Sequence, residues 1–132
     1  MRHTGMEFPL ILLYMTILIA DDSALIRSTL GKLITRKMED ITIKNSFDVK
    51  STIREIDSKP VDVLILDIQF PDGSGIDVLR YLKNHGNKPF IMVLTNSSSR
   101  RIKKQSLQLG ADLFFDKSDE YEKVVDEIIR LS

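Results

Sequence analysis

Asp67 stands where the apolar run Val61 to Leu66 gives way to a loop, and it belongs to a small set of residues suited to chemistry. The others are the pair Asp21-Asp22, Thr95 and the pair Asp116-Lys117, each at the end of an apolar segment. Three carboxylates drawn together repel one another and raise their own pKa values unless a cation joins them. The chain has no Cys and only His3 and His85, so an all-oxygen donor set remains, and that suits a hard ion such as Mg²⁺. A carboxylate is also a competent nucleophile toward phosphorus, and the Lys117 ammonium and Thr95 hydroxyl suit the oxygens of a transferred phosphoryl group. Together these residues read as phosphoryl transfer to a carboxylate.

Taken singly, each residue has an ordinary explanation. An Asp after a strand usually forms a turn or caps the next helix, as Asp22 or Ser23 could do here. Pro71, Gly73 and Gly75 read as loop punctuation, Thr95 as a strand former and Lys117 as a surface lysine. The run Arg100, Arg101, Lys103 and Lys104 reads as a solvated helix face, with a partner surface as the minority reading. His3 and His85 look incidental. Only convergence on one edge of a sheet makes a site, and that convergence depends on the elements that position them.

The chain alternates strand and helix. Thr16 to Ala20 reads as a buried strand, and Ala24 to Lys37 as a helix with Ile26, Leu30, Leu33 and Ile34 on one face and Ser23 as its cap. Ile41 to Phe47 alternates as a strand, and Val49, Ile53 and Ile56 trace a helix ending before Pro60. Val61 to Leu66 and Phe90 to Leu94 are continuous apolar runs of the kind covered on both faces. Between them Ile76, Leu79 and Leu82 mark a third helix, closed by the turn at Asn84 to Gly86. A weaker helix, Ser99 to Leu109, stops at Gly110, and Leu113 to Phe115 is a fifth strand. The last helix is expected to start at a Ser118 cap, with Asp119 and Glu120 in its first turn and Tyr121, Val124, Val125, Ile128 and Ile129 on one face.

Five strands alternating with five helices predict an α/β domain, a doubly wound parallel sheet whose ligands bind outside the carboxyl ends of its strands. The 132 residues suit one such domain, expected over 16–132. Residues 1–15 are expected to be an extension outside it, because Phe8 to Ala20 is too short to span a membrane and lacks a small-residue cleavage site. The 19 Lys and Arg residues balance the 19 Asp and Glu residues, so no overall field draws the chain to nucleic acid or anionic lipid. A cytoplasmic location is the expectation.

The motifs DDS at Asp21–Ser23, DIQFPDGSG at Asp67–Gly75, LTN at Leu94–Asn96 and DK at Asp116–Lys117, in this order and spacing, resemble the receiver domains of two-component response regulators, the CheY-like family. The resemblance covers about Thr16 to Leu131. It implies the flavodoxin-like strand order 2-1-3-4-5, which sets the first and third strands side by side. It further implies that Asp67 accepts a phosphoryl group, and that Asp22 and Asp67 ligate Mg²⁺ directly, with Asp21 acting through water and Gln69 through its backbone carbonyl. Lys117 and Thr95 match the phosphoryl-binding residues, and Phe114 the aromatic switch position. The implied donor is a histidine kinase or a histidine phosphotransfer protein, and the implied product is a switched docking surface rather than catalytic turnover.

Three departures narrow what the resemblance carries. Ser118 stands where the family usually has proline, and a cis non-proline bond costs roughly 3 kcal/mol, so a trans bond is expected. Phe114 lacks a hydroxyl where tyrosine is frequent. Asn96 stands where a small residue is more common, as an access gate over Asp67, and with Gln69 it predicts a distinctive phosphoryl lifetime. Because the chain stops soon after the last helix, the expectation is a stand-alone receiver acting on a downstream protein effector, with Arg100, Arg101, Lys103 and Lys104 as the candidate docking face. A phosphorylation-dependent homodimer is a further expectation. The main alternative is a receiver fragment of a DNA-binding regulator. A haloacid-dehalogenase-like phosphatase would want an Asp at position 69, where Gln stands, and a flavodoxin-like carrier would want an amide-rich phosphate loop where DDSA is acidic.

Overall fold

The computed structural model describes residues 14–118 and 120–132. In chain order the elements are β1 (Met15–Ala20), α1 (Ala24–Lys37), β2 (Ile41–Ser46), α2 (Val49–Ser58), β3 (Val63–Leu66) and a small antiparallel hairpin of β4 (Gln69–Phe70) and β5 (Gly73–Ser74). Then come α3 (Gly75–Lys83), β6 (Phe90–Thr95), α4 (Arg100–Gln108), β7 (Leu113–Asp116) and α5 (Tyr121–Leu131). The main sheet runs β2-β1-β3-β6-β7, parallel throughout, which is the expected order 2-1-3-4-5 once the hairpin is set aside.

Alternation along the strands divides the core in two. Leu18, Ala20, Leu64, Leu66, Ile91 and Val93 face α2, α3 and α4, where they meet Val49, Ile76, Leu79, Leu82 and Ile102. The intervening residues Ile17, Ile19, Val63, Ile65, Met92 and Leu94 face α1 and α5, against Leu30, Ile34, Val124, Val125 and Ile128. Helices on both faces bury the sheet, so its strands can be apolar on both sides.

Side-chain caps fix where the helices begin. Ser23 caps α1 by accepting from the Ile26 amide, and Ser99 caps α4 in the same way from Ile102. Asp48 and Ser51 form a capping box at α2, and Ser74 and Asp77 another at α3. Asp72, in the hairpin turn, also accepts from the Val49 and Lys50 amides at 2.8 and 3.1 Å, tying the segment after Asp67 to α2. Gly110 ends α4 in the left-handed region, φ 109°.

Several boundaries differ from the sequence expectation. β1 begins at Met15, paired with Ile41, and β2 stops at Ser46, one residue before Phe47. β3 begins at Val63 rather than Val61, and the Asp62 carboxylate folds back to accept from the Thr16 amide at 2.8 Å. Ser118 does not cap α5. Its amide and hydroxyl both donate to Asp116 Oδ1, at 2.8 and 2.7 Å, and Glu120 is the cap residue, without a side-chain cap bond. The first-turn acid is Glu122, and the expectation for Asp119 lies outside the described residues. Ile129, expected on the buried face, is 40% exposed.

Candidate functional site

The parallel register brings the carboxyl ends of β1, β3, β6 and β7 to one edge. Ala20 pairs with Leu66, Leu66 with Val93, and Thr95 with Asp116. Backbone bonds continue just past these pairs: the Asp67 amide donates to Ala20 O at 2.9 Å and the Lys117 amide to Thr95 O at 3.0 Å. Asp21, Asp67 and Lys117 therefore emerge side by side as the sheet ends.

Lys117 Nζ lies 2.7 Å from Asp21 Oδ2 and 2.8 Å from Asp67 Oδ2. Asp67 Oδ1 accepts from the adjacent Ile68 amide at 2.6 Å, which fixes the carboxylate plane. Asp21 Oδ1 accepts from the Ser23 amide at 2.9 Å, and its carbonyl accepts from Arg27 at 2.6 Å. Asp21 and Asp67 are only 3% and 5% exposed, whereas Asp22 is open to solvent. One carboxylate oxygen from each of the three lies within 4.8 Å of the others.

Burial raises the Asp21 pKa, against the opposing pull of Lys117 and the Ser23 amide. Burial also works against the Lys117 ammonium, but its bonds to Asp21 and Asp67 outweigh that and hold it protonated. Three carboxylates facing one ammonium leave two negative charges, a balance that a divalent cation completes. The donors are all oxygen, so the residues present fit Mg²⁺ by chemistry and by charge.

A cavity of ≈ 410 Å³ opens on this cluster, lined among others by Asp22, Asp67, Gln69, Asn96, Lys117 and Tyr121. Gln69 and Asn96, both exposed, thus line the same cavity as Asp67. Thr95 is fully buried, its hydroxyl accepting from the Ser97 amide at 3.0 Å. Phe114 is half-buried in the part of the core shared with Ile102 and Leu109 of α4. Among the described residues no peptide bond is cis, and the Lys117–Ser118 bond is trans as expected. Arg100, Arg101, Lys103 and Lys104 are exposed along the first half of α4.

Two residues of the site are not singled out by the sequence reading. Gly75, read as loop punctuation, packs its backbone against Asp67: its amide donates to Ile68 O at 2.7 Å, and a Cβ there would overlap the Asp67 carbonyl oxygen. Tyr121, read as part of the core face of α5, packs on that core as expected and also lines the cavity. Its place in the first turn of the helix after Lys117 was the available signal.

The family model described as the response regulator receiver domain matches residues 17–129. Protein-glutamate methylesterase/protein-glutamine glutaminase 2 of Koribacter versatilis is 31% identical over 119 residues, covering 86% of this chain and 33% of the relative. Transcriptional regulatory protein CpxR of Escherichia coli is 33% identical over 101 residues, covering 76% of this chain and 42% of the relative. The chain thus spans less than half the length of these curated relatives. Among solved structures, the signal receiver domain of a putative Luxo repressor protein from Vibrio parahaemolyticus superposes with a TM-score of 0.82 at 20% identity, covering 89% of each chain. A CheY-like receiver domain protein from Methanospirillum hungatei gives 0.81 at 19% identity, covering 89% of this chain and 93% of the other. At these identities the likeness is one of fold.

Proposed function

Since the chain belongs to the response regulator receiver family, we propose that Asp67 accepts a phosphoryl group from a histidine kinase or a histidine phosphotransfer protein, and that the resulting aspartyl phosphate switches a protein-docking surface. The observation that carries this reading is the Lys117 ammonium shared between Asp21 and Asp67, with Asp22 in reach and a cavity opening on Asp22, Asp67 and Lys117.

In this scheme the Ile68 amide holds Asp67 Oδ1, so the carboxylate meets phosphorus in one orientation. A bond forms from an Asp67 oxygen to phosphorus while the phosphorus–nitrogen bond to the donor imidazole breaks, and the nitrogen keeps the electron pair. Asp21, Asp22, Asp67 and the Gln69 carbonyl would hold Mg²⁺, which when bound supplies a Lewis acid for the phosphoryl oxygens. Lys117, losing its charge partner as Asp67 becomes an acyl phosphate, turns its ammonium to the new oxygens. Gln69 and Asn96 screen the approach of water and so set the lifetime of the acyl phosphate.

Output follows from which face responds. Thr95 and Phe114 lie on the side of the sheet covered by α4. A Thr95 hydroxyl drawn from the Ser97 amide to the phosphoryl group opens space that Phe114 fills, and α4 shifts with its cationic strip of Arg100, Arg101, Lys103 and Lys104. That strip is the proposed contact for a downstream protein effector.

Incubation with Mg²⁺ and acetyl phosphate, read on a phosphate-affinity gel, tests the assignment. A retarded band is expected for the wild type and none for Asp67→Asn or in the presence of a chelator. A band that survives Asp67→Asn would place the acceptor elsewhere, and continuous turnover of acetyl phosphate would mark an enzyme rather than a switch.

A further inference from the structure

Tyr121 is a wall of the phospho-acceptor cavity to which the scheme above gives no task. Its ring packs on the α1 and α5 side of the core, while the residue lines the cavity together with Asp22, Asn96 and Lys117. Its hydroxyl makes no hydrogen bond to any described residue, and it is not sealed away as a buried orphan. The contrast with Tyr81 is direct, since both carboxylate oxygens of Asp57 lie 2.7 Å from that phenol. Tyr121 therefore lines the cavity beside Asp22, Asp67 and Lys117 with a hydroxyl that no described residue engages.

Electrostatics agree with this placement. Burial raises the Tyr121 pKa, Lys117 pulls it down, and Asp21 and Asp67 push it up again, leaving it above its ordinary value. The phenol is thus within electrostatic reach of the residues around the acceptor, and it stays protonated, hence a donor, throughout the neutral range.

We propose that Tyr121 is a phosphoryl-binding residue whose hydroxyl donates to an oxygen of the aspartyl phosphate on Asp67, from the α5 side of the cavity. A phosphoryl group presents three outer oxygens, each able to accept more than one bond. Lys117 and Thr95 approach from the ends of β7 and β6, and Tyr121 is the cavity residue that comes from α5. Tyr121 supplies a further donor from the first turn of α5, so the phosphorylated site engages a helix on each face of the sheet. The inference rests on phospho-acceptance at Asp67.

Beryllofluoride, which mimics the phosphoryl group on a carboxylate, is the probe. Its dissociation constant in the presence of Mg²⁺ is measured by calorimetry for the wild type, Tyr121→Phe and Asp67→Asn, with Mg²⁺ alone titrated in parallel. Tyr121→Phe keeps the ring and removes only the hydroxyl, so about 3- to 10-fold weaker beryllofluoride binding with unchanged Mg²⁺ affinity is expected. Equal beryllofluoride affinity in wild type and Tyr121→Phe would overturn the role of Tyr121 and leave the acceptor assignment standing. A matching loss of Mg²⁺ affinity would also overturn it, since the hydroxyl would then act on the metal or the fold. A wild type that binds no beryllofluoride, or undiminished binding by Asp67→Asn, would overturn the acceptor assignment and Tyr121 with it.

Discussion

Two helices flank the edge strand β7, and they are held very differently. α5 buries Val124, Val125 and Ile128 against the sheet and rests Tyr121 and Leu131 on the same core. α4 buries only Ser106, whose hydroxyl has no partner among the described residues, and touches the core through the half-buried Ile102 and its C-cap Leu109, while Leu107 is 41% exposed. Its four cations crowd the helix's positive end, and Arg100 repels Lys103 and Lys104 at the i,i+3 and i,i+4 spacings. Apart from its Ser99 cap, α4 is weakly anchored, whereas α5, without a side-chain cap bond, is fixed by apolar area. A switch needs one element that yields and one that does not. The loosely seated helix is the one over Thr95 and Phe114, and the anchored helix carries Tyr121 into the cavity wall.

The largest expected effect that probes this difference is on stability. Ile128→Ala should cost about 2–5 kcal/mol in urea unfolding, because a fully buried side chain leaves a cavity behind. Ile102→Ala, at a site already half open, should cost about 1–2 kcal/mol. Equal losses at the two positions would break the contrast between the helices. A smaller change of opposite sign is expected within α4. Ser106→Ala removes a buried hydroxyl that no described group satisfies and adds helix propensity, so the protein should gain about 1 kcal/mol. A loss would mean that the hydroxyl finds a partner after all, and that α4 is better anchored than its packing implies.

How much of this was legible in the sequence depends on what each signal encodes. Strand alternation and apolar runs dictate which residues face a core, and with the ordered motifs they lead to the sheet order and to Asp21, Asp67 and Lys117 at one edge. Helical periodicity assigns a face but not a depth along the helix, which is why it set Tyr121 on the core, where it packs, without showing that the first turn also brings it to the cavity. The same limit misplaced Ile129, one residue and 100° past the buried Ile128. Ser118 read as a cap because serine before a helix usually is one, yet Asp116 lies two residues back and captures both its donors. Gly75 was hidden for another reason: its importance is a close approach to the Asp67 carbonyl, a tertiary contact with no local signature.

Asp116 sharpens the comparison most finely, because it touches the entrances of both helices. Its carboxyl is held down to about 2, first by the Ser98 hydroxyl ahead of α4 and then by the Ser118 amide and hydroxyl ahead of α5. A carboxyl whose pKa is lower folded than unfolded binds fewer protons in the native state. It therefore stabilises the fold above pH 4, and that contribution drains away as pH falls from about 4 toward about 2. The group is at the surface, so the effect is small and is best read as a difference of melting temperatures. Asp116→Asn should melt below the wild type at pH 6, and the gap should shrink as pH falls from about 4 toward about 2; a gap unchanged over that range would not come from the charge. Ser98→Ala should raise the Asp116 pKa more than Ser118→Ala does, since Ser118 still offers its amide after losing its hydroxyl. Carbon-detected NMR titration of Asp116 in the two variants reads that order directly. The reverse order would mean that the α5 entrance holds Asp116 and that the α4 entrance is the freer of the two.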